Sequence, residues 1–303
     1  MLQVINISFG YKNALVLNNI SFNVNAGEHV SIIGESGSGK STLLKLIYGE
    51  FDLNNGQIFW NNIEVLGPKY NLIAGPEFMK YVAQEFDLMP YKTVEENIGE
   101  FLSNFYLNEK QKRINELLEV VELSSFSKTK VKLLSGGQKQ RVALARAIAK
   151  QPEIILLDEP FSHIDNFKKQ SLRRNLFSFL KNKNISCVVA THDKDDVLSY
   201  ADSIIALDNG RVMAKDTPRN LFNNPKNSLI ASFFGEYNVI NGEIVYAHQL
   251  KIVSKSNLKA AVRHSYFNGT YYLIEVNFKG KSIFIENVCE INQDDIIHFE
   301  IFK

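Results

Sequence analysis

A glycine-rich stretch, GESGSGKS at residues 34–41, limits what this chain can fold into more than any other part of the sequence. An apolar run at residues 30–33 precedes it, and residues 43–48 follow with apolar side chains at helical spacing. A strand, a glycine loop and a helix in this order are typical of a phosphate-binding loop. Glycines let successive backbone N–H groups turn toward one anion, and the positive end of the following helix points at the same place.

This phosphate loop predicts specific contacts with a nucleotide and a metal ion. Lys40 would reach the terminal phosphates, and Ser41 would offer its hydroxyl to Mg²⁺. Six further residues are expected to line the nucleotide: Gly34, Ser36, Gly37, Ser38, Gly39 and Thr42. A flexible Gly/Ser turn is the alternative, and the strand and helix on either side of the loop disfavour it.

Composition limits the classes of partner. The chain has 303 residues, 45% of them hydrophobic and 22% charged, which is typical of a globular protein with one large domain or with a large and a small one. The net charge of +1 provides no overall field that would favour nucleic acid or an anionic membrane surface. The sequence shows neither a signal peptide nor an apolar run near the roughly 20 residues that span a bilayer. We therefore expect a cytoplasmic protein that reaches a membrane only through a partner.

Two continuous apolar runs, at residues 154–157 and 186–190, predict an α/β fold with a parallel sheet. Such runs are typical of strands buried on both faces. The first run ends at Asp158 and the second ends just before His192. Because ligands bind at the carboxyl ends of parallel strands, we expect the phosphate loop, Asp158 and His192 to lie at one edge of the sheet.

The acidic pair Asp158 and Glu159 predicts hydrolysis as well as binding. An aspartate at the end of a buried strand is placed to hold Mg²⁺ through water, opposite Ser41. Glu159 has no basic neighbour in the sequence and is placed to polarise an attacking water. A solvated strand end is the alternative for an isolated Asp-Glu pair, and the phosphate loop disfavours it here.

A second glycine pattern, the pentapeptide LSGGQ at residues 134–138, opens the predicted helix GGQKQRVALARAIA. Its N–H groups and helix N-terminus would also suit an anion. Because the chain already has a phosphate loop, the simplest use for a second phosphate binder is to face the nucleotide of another subunit.

The domain organisation follows from changes of pattern along the chain. Residues 86–150 are predicted to be wholly helical, as a subdomain inserted between strands, and an antiparallel β layer precedes the phosphate loop. The pair Asn55-Gly56 predicts a hairpin turn. Beyond residue 235 short alternating strands are separated by Asn-Gly and Lys-Gly pairs. We expect an α/β domain over residues 1–235 and a small β-barrel-like domain over residues 236–303.

Over about residues 1–235 the sequence resembles the ATP-binding subunits of ABC transporters. The elements of that family stand in family order, and they are Tyr11, the phosphate loop, Gln84, the pentapeptide, the run IILLDEP, Asp165 and His192. The resemblance implies a P-loop NTPase of ABC type that forms a head-to-tail pair, here a homodimer, with two ATP molecules and Mg²⁺ between the subunits. It also implies membrane-spanning permease subunits and a solute-binding protein as partners, with no nucleic acid.

The resemblance implies roles within one subunit for the residues near the phosphate loop. Tyr11 would stack on adenine. Gln84 would touch Mg²⁺ or the attacking water and would sense the membrane partner. His192 would hold the γ-phosphate and orient Glu159, so that Glu159, His192 and Gln84 form the catalytic set.

Other roles implied by the resemblance cross the subunit interface. Ser135 and Gly137 would contact the partner's γ-phosphate, and Gly136 and Gln138 of the same pentapeptide would also bind the nucleotide. Asp165 would link the two sites. In the stretch SHID, His163 and Ile164 occupy places where the family usually has a small residue and a leucine. This departure concerns the coupling of the sites rather than hydrolysis.

The C-terminal linker narrows the resemblance. DTPRNLFNNP followed by SLIASFFGEYNVI is similar to the linker of import-type subunits for polyamines, ferric iron, sulfate or molybdate, which carry a small β-barrel regulatory domain. Alternatives are a soluble ABC-type ATPase that acts on ribosomes or nucleic acid, and an inactive regulatory scaffold. Neither a second cassette nor a long coiled coil supports the first, and the filled catalytic positions disfavour the second.

Overall fold

The computed structural model describes residues 1–12 and 14–302, and these form two compact units, Met1–Pro218 and Arg219–Lys303. The boundary between the units precedes the one that the sequence pattern suggests, at residues 235 and 236. A short helix at Ser228–Phe234 therefore belongs to the second unit. The division into an α/β domain and a regulatory domain stays a prediction. Within the described ranges, no helix is both long and apolar enough to cross a lipid bilayer.

The first unit contains two sheets. The antiparallel sheet has the order β2-β1-β4-β5, with strands β1 (Leu2–Tyr11), β2 (Ala14–Val24), β4 (Asn55–Trp60) and β5 (Ile63–Glu64). The six-stranded sheet comprises β3 (His29–Ile33), β6 (Met79–Val82), β7 (Ile154–Asp158), β8 (Ser186–Ala190), β9 (Ser203–Asp208) and β10 (Arg211–Asp216). The helices are α1 (Lys40–Tyr48), α2 (Val94–Ile98), α3 (Leu107–Val120), α4 (Gly136–Ala147), α5 (Asn166–Asn182) and α6 (Lys194–Tyr200), and α7 (Pro218–Asn223) spans the boundary between the units.

The six-stranded sheet places the strand ends that matter for function side by side. Its order is β10-β9-β3-β8-β7-β6, and its strands are parallel except β10, which pairs antiparallel with β9. Every residue of β3, β7 and β8 is buried, as their continuous apolar runs predict. The carboxyl ends of β3, β8, β7 and β6 therefore follow one another along the same edge of the sheet.

Each face of this sheet carries its own hydrophobic core. Ile154 and Leu156 of β7 pack in one core with α1 and the antiparallel sheet. Ile155 and Leu157 pack in the other core with α3, α4 and α5. Successive side chains of a strand point to opposite faces, so α1 and α4 lie on opposite faces of the sheet.

The predicted helical region contains α2, α3, α4 and two 3₁₀ turns, at Ser124–Phe126 and Val131–Leu133. Helix α2 begins with a capping box: the Glu96 backbone N–H donates to Thr93 Oγ1 at 3.3 Å, and the Thr93 N–H donates to Glu96 Oε2 at 2.6 Å. The prediction of a hairpin turn at Asn55-Gly56 was wrong, because these two residues begin β4. Gly56 has φ 88°, and a Cβ there would lie 2.5 Å from the Ile5 carbonyl oxygen, so glycine serves a close strand contact.

After its helix α8 (Ser228–Phe234), the second unit consists of β-strands and a 3₁₀ turn at Ala247–Gln249. A two-stranded hairpin is formed by β11 (Tyr237–Ile240) and β12 (Glu243–Tyr246). A five-stranded antiparallel sheet has the order β13-β17-β14-β15-β16, with strands β13 (Leu250–Val253), β14 (Leu258–Phe267), β15 (Tyr272–Phe278), β16 (Lys281–Asn287) and β17 (Ile296–Ile301). Cα atoms of its two edge strands, β13 and β16, approach within 8 Å, so the sheet is strongly curved. This confirms the small all-β fold expected for the C-terminal region.

Candidate active site

The phosphate loop connects β3 to α1 in the way that its glycines require. Gly34 has φ 156°, and a Cβ there would lie 2.2 Å from the Leu207 carbonyl oxygen on β9. No other residue fits between the loop and that strand. Gly39, at φ 102°, is the N-cap of α1 and supplies no capping side chain, so the first N–H groups of α1 keep no partner from a cap.

Two polar side chains of the loop suit an anion. Ser38 is buried, and its Oγ has no hydrogen-bond partner in the described part of the chain. Lys40 Nζ donates to the carbonyl oxygens of Gly34 at 2.8 Å and Glu35 at 2.9 Å. Burial lowers the pKa of the Lys40 ammonium, and the nearby carboxylates of Glu159 and Asp158 oppose that shift. A buried unpartnered hydroxyl, an ammonium and a helix N-terminus together fit a bound phosphate.

Asp158 is fixed at both carboxylate oxygens. It ends β7 and is 5% exposed. Ser41 Oγ donates to Oδ1 at 3.0 Å, and the Tyr81 hydroxyl on β6 donates to Oδ2 at 3.2 Å. Burial, followed by the charge of Asp158, raises the pKa of Tyr81, so Tyr81 stays a neutral donor. Tyr81 was not predicted from the sequence, although a polar-tipped aromatic residue three positions before Gln84, on a strand beside β7, was the available signal.

Glu159 and His192 meet at the edge of the sheet. His192 follows β8, which lies between β3 and β7. His192 Nδ1 is 2.8 Å from Glu159 Oε1; the Glu159 side chain is 18% exposed and that of His192 is 73% exposed. The backbone of Glu159 has φ 50°, an uncommon value for a residue other than glycine. A partly buried carboxylate held by a histidine next to a phosphate loop has the geometry of a general base.

A buried arginine fixes the segment that carries His192. Arg173 on α5 is 2% exposed, and its Nε donates to Asp196 Oδ1 at 2.5 Å. The same guanidinium pairs with Asp193, the residue after His192. Asp196 also accepts a hydrogen bond from Thr191 Oγ1 at 2.7 Å. Arg173 was not predicted from the sequence, because its partners lie about 20 residues away along the chain.

Tyr11 lies beside the first turn of α1. Its ring packs edge-on against Phe9, with ring centroids 5.0 Å apart, and against Phe51 at 5.6 Å. Its hydroxyl is 3.4 Å from Thr42 Oγ1. The side chain is 44% exposed, which leaves part of the ring open to a planar ligand next to the phosphate loop. Ser36, also in the loop, is exposed, and an ideal Cβ at Gly37 would lie more than 4 Å from every described residue other than its two chain neighbours.

The pentapeptide lies apart from the phosphate loop of the same chain. Ser135 is the N-cap of α4, which packs on the opposite face of the six-stranded sheet from α1. Its Oγ accepts from the Gln138 N–H at 3.3 Å, and its own N–H donates to Gln138 Oε1 at 2.9 Å. Gly136 is exposed. The helix start is thus presented outward and does not complete the phosphate pocket of its own chain.

Gln84 and Asp165 are both exposed. Gln84 follows β6, at the edge of the sheet where the phosphate loop, Glu159 and His192 also lie. Asp165 is the N-cap of α5 but makes no side-chain capping hydrogen bond. His163, two residues earlier, packs edge-on against Phe86, with ring centroids 5.6 Å apart. The residue that departs from the family pattern therefore contacts a residue two positions after Gln84.

Comparison with known proteins identifies the family. The family model described as ABC transporter matches residues 17–162. The chain is 36% identical over 247 residues to the Fe(3+) ions import ATP-binding protein FbpC 2 of Haemophilus influenzae, covering 81% of this chain and 69% of that protein. It is 29% identical over 321 residues to the spermidine/putrescine import ATP-binding protein PotA of Clostridioides difficile, covering 95% of this chain and 91% of that one.

Solved structures agree. A dimeric ATP-binding cassette in a post-hydrolysis state, bound to ADP and Pi, is 32% identical with a TM-score of 0.64, covering 72% of this chain and 99% of that one. The cbiO1 protein of Clostridium perfringens, part of the ABC transporter complex cbiONQ, is 27% identical with a TM-score of 0.64, covering 73% and 90%. These similarities confirm the fold class and the family resemblance drawn from the sequence motifs. The chain belongs to the ABC transporter family, as an ATP-binding subunit that hydrolyses ATP.

Proposed function

We propose that two copies of this chain form a head-to-tail ATPase pair that drives an importer. The separation of the two anion-binding elements carries this proposal, because α1 with the phosphate loop and α4 with the pentapeptide lie on opposite faces of the six-stranded sheet. A second copy placed head to tail sets each pentapeptide against the other copy's phosphate loop. The names of the two curated relatives, both import proteins, support the direction of transport.

Within each site, the side chains divide the work of hydrolysis. Lys40, Ser38 and the N-terminus of α1 bind the phosphates, and Tyr11 stacks on adenine. Ser41 Oγ and the Asp158 carboxylate, 3.0 Å apart, offer the oxygen ligands that Mg²⁺ prefers, with exposed Gln84 beside them. Magnesium supplies charge neutralisation to the phosphates when it is bound.

Glu159 takes the proton of the attacking water. His192 lies against its carboxylate and keeps that carboxylate directed toward the phosphate loop. Positioning and charge stabilisation supply most of the rate enhancement in phosphoryl transfer. The fixed geometry of Glu159 and His192 is therefore their main contribution to the rate. Across the interface, Ser135 to Gln138 would bind the partner's γ-phosphate, and exposed Asp165 would contact the second copy.

A groove of about 500 Å³ beside Gln84 suits a permease segment. Its lining includes Tyr81, Phe86, Phe101 and Ala147 together with charged residues of both signs, among them Arg146 on α4. A short amphipathic helix of a permease fits such a surface. Because Tyr81 also holds Asp158, a partner in this groove would lie one residue away from the proposed metal site.

The remaining partners follow from this assignment. Permease subunits place the ATPase pair at the cytoplasmic face of the membrane, and a solute-binding protein delivers the cargo from the other side. The second unit, an all-β domain, serves as a regulatory domain. Purification from native membranes tests these points, since a membrane permease should be recovered with the chain. Recovery of ribosomes or nucleic acid instead would overturn the transport assignment.

The variant Glu159→Gln tests the ATPase pair. The amide keeps the size of the side chain but cannot accept the proton of water, so turnover should fall by roughly 10²-fold or more. ATP binding should persist. Sedimentation should show a dimer in the presence of ATP and a monomer in the presence of ADP. Glu119→Gln, on the exposed side of α3, should keep wild-type turnover. Full turnover by Glu159→Gln would remove Glu159 from its role, and a monomer in the presence of ATP would contradict the head-to-tail pair.

A further inference from the structure

We propose that Gln140 is a positioning residue that couples the two ATP sites of the pair. It joins α4, whose first turn meets the partner's nucleotide, to the catalytic carboxylate that acts on the nucleotide of its own chain. This inference rests on the proposed head-to-tail arrangement, because only that arrangement gives Ser135 and Glu159 of one chain two different nucleotides.

Both polar atoms of the Gln140 side chain form hydrogen bonds, and both of their partners lie outside α4. Gln140 is 1% exposed. Its Nε2 donates to the carbonyl oxygen of Glu159 at 2.9 Å, and its Oε1 accepts from the backbone N–H of His163 at 3.1 Å. The amide thus binds both ends of the turn at residues 159–163, which carries the catalytic carboxylate. A surface glutamine on a helix would bind water instead, so this burial indicates a specific purpose.

The backbone of Glu159 needs such support. Its φ of 50° is held only where surrounding bonds fix it. The Glu159 N–H donates to the Ala190 carbonyl oxygen at 2.9 Å, and its carbonyl oxygen also accepts from Ser162 Oγ at 3.0 Å. Gln140 adds the bond that comes from α4. Because a change at this φ swings the side chain, losing that bond would move the carboxylate away from His192.

The start of α4 also touches the same turn directly. A Cβ on Gly137 would lie 2.6 Å from the His163 carbonyl oxygen, so the helix start and the turn pack backbone against backbone. Gln140 lies five residues after the N-cap Ser135, which is about 7.5 Å of helix rise. A rigid segment this short transmits a shift of its first turn to the Gln140 amide.

Binding of the partner's phosphate at Ser135 would therefore hold α4 in the position from which Gln140 bonds to Glu159 in the other site. Each site becomes fully active only when the other nucleotide is present. We expect turnover by the wild-type chain to rise cooperatively with ATP concentration, with a Hill coefficient above one. This coupling path runs inside one chain, beside the contact that Asp165 would make across the interface.

The variant Gln140→Met tests the inference, because methionine has a similar size but neither hydrogen-bonding group. Its matched control is Asn97→Leu. Asn97 is another fully buried amide, and it holds the Met89 N–H at 2.9 Å and the carbonyl oxygens of Met89 and Thr93 at 3.1 Å and 2.9 Å, in the helical region. Both variants lose buried hydrogen bonds, but only Gln140→Met loses them at Glu159.

Turnover of the full chain is measured against ATP concentration, together with the melting temperature. For Gln140→Met we expect kcat to fall about tenfold, KM to stay within about twofold and the Hill coefficient to fall to near one. Asn97→Leu should show a comparable loss of melting temperature with kcat within about twofold of wild type. Wild-type kcat and cooperativity in Gln140→Met, or losses no larger than those of Asn97→Leu, would overturn the inference.

A second variant covers a failure of Gln140→Met to fold. Gln140→Glu keeps the volume and the acceptor for His163 N–H but loses the donor to the Glu159 carbonyl, so it should show the same loss of kcat and cooperativity. Glu159→Gln is measured in parallel. If it forms an ATP-dependent dimer while the Gln140 variants behave as wild type, only the coupling role fails. If it stays monomeric, the head-to-tail pair fails and the coupling role fails with it.

Discussion

The two helices that we propose begin at anion-binding turns, α1 and α4, differ in how their first N–H groups are capped. Helix α1 begins at Gly39 without a capping side chain, and beside it the buried Ser38 Oγ has no hydrogen-bond partner in the described ranges. Helix α4 begins with a complete capping box between Ser135 and Gln138. The start of α1 lacks partners that a ligand can supply, whereas the capping box of α4 already gives the N–H groups of Ser135 and Gln138 partners within the chain.

This difference separates a resident site from a transient one. A buried hydroxyl without a partner destabilises the empty loop, and a bound phosphate removes that penalty. The capping box keeps α4 intact whether or not a phosphate is near, so that helix start can meet and leave a nucleotide in every cycle. In the proposed pair, ATP therefore resides on the α1 side, and closure of the dimer adds the α4 side.

The largest expected effect removes the ammonium of the α1 side. Lys40→Ala should weaken nucleotide binding by about 100-fold or more, because the charge that faces the terminal phosphates is lost from a partly buried site. Titration calorimetry with ATP measures the Kd. Lys112→Ala, at an exposed position of α3, should leave the Kd unchanged. An unchanged Kd in Lys40→Ala would mean that the α1 side is not where the nucleotide resides.

A buried histidine on β3, the strand that leads into the phosphate loop, should make the stability of the folded chain sensitive to acid. His29, the first residue of β3, is 2% exposed and packs against Phe177 with ring centroids 5.8 Å apart. Burial, with a smaller effect of Lys181, lowers its pKa from 6.5 to about 4. The folded chain keeps the ring neutral, whereas the unfolded chain takes up a proton near pH 6.5. Stability is therefore fully present above pH 6.5 and is lost as the pH falls toward 4, by about 2 kcal/mol at pH 5.

Urea unfolding at pH 7.5 and pH 5 measures this effect as a difference within each variant. His29→Leu should lose about 2 kcal/mol less between the two pH values than the wild type does. His264→Gln, at an exposed position of the second unit, should keep the wild-type difference. The same acid loss in His29→Leu as in the wild type would show that this histidine does not titrate on unfolding.

The sequence predicted those elements whose local residue pattern is compatible with only one structure. The phosphate loop and the buried strands β7 and β8 depend on neighbours within a few residues. Asn55-Gly56 misled because the same pair suits a turn and a glycine-lined strand contact, and only the position of β1 decides between them. Gln140 was invisible, since a glutamine in a helix resembles a solvent-exposed residue until folding brings backbone groups of another segment to it.

The smallest expected effect distinguishes a cap that only stabilises a helix from one that also binds a phosphate. Ser135→Ala removes the side-chain acceptor of the α4 capping box, and Thr93→Ala removes the same group from α2. Each should lower the free energy of unfolding by about 1 kcal/mol. ATP binding by the α1 side should be unchanged in both variants, whereas turnover should fall only in Ser135→Ala. Urea unfolding, ATP titration and turnover measure the three quantities on the same samples. Equal turnover in the two variants would mean that the Ser135 side chain only stabilises α4. Contact between the start of α4 and the partner's phosphate would then depend on backbone N–H groups alone.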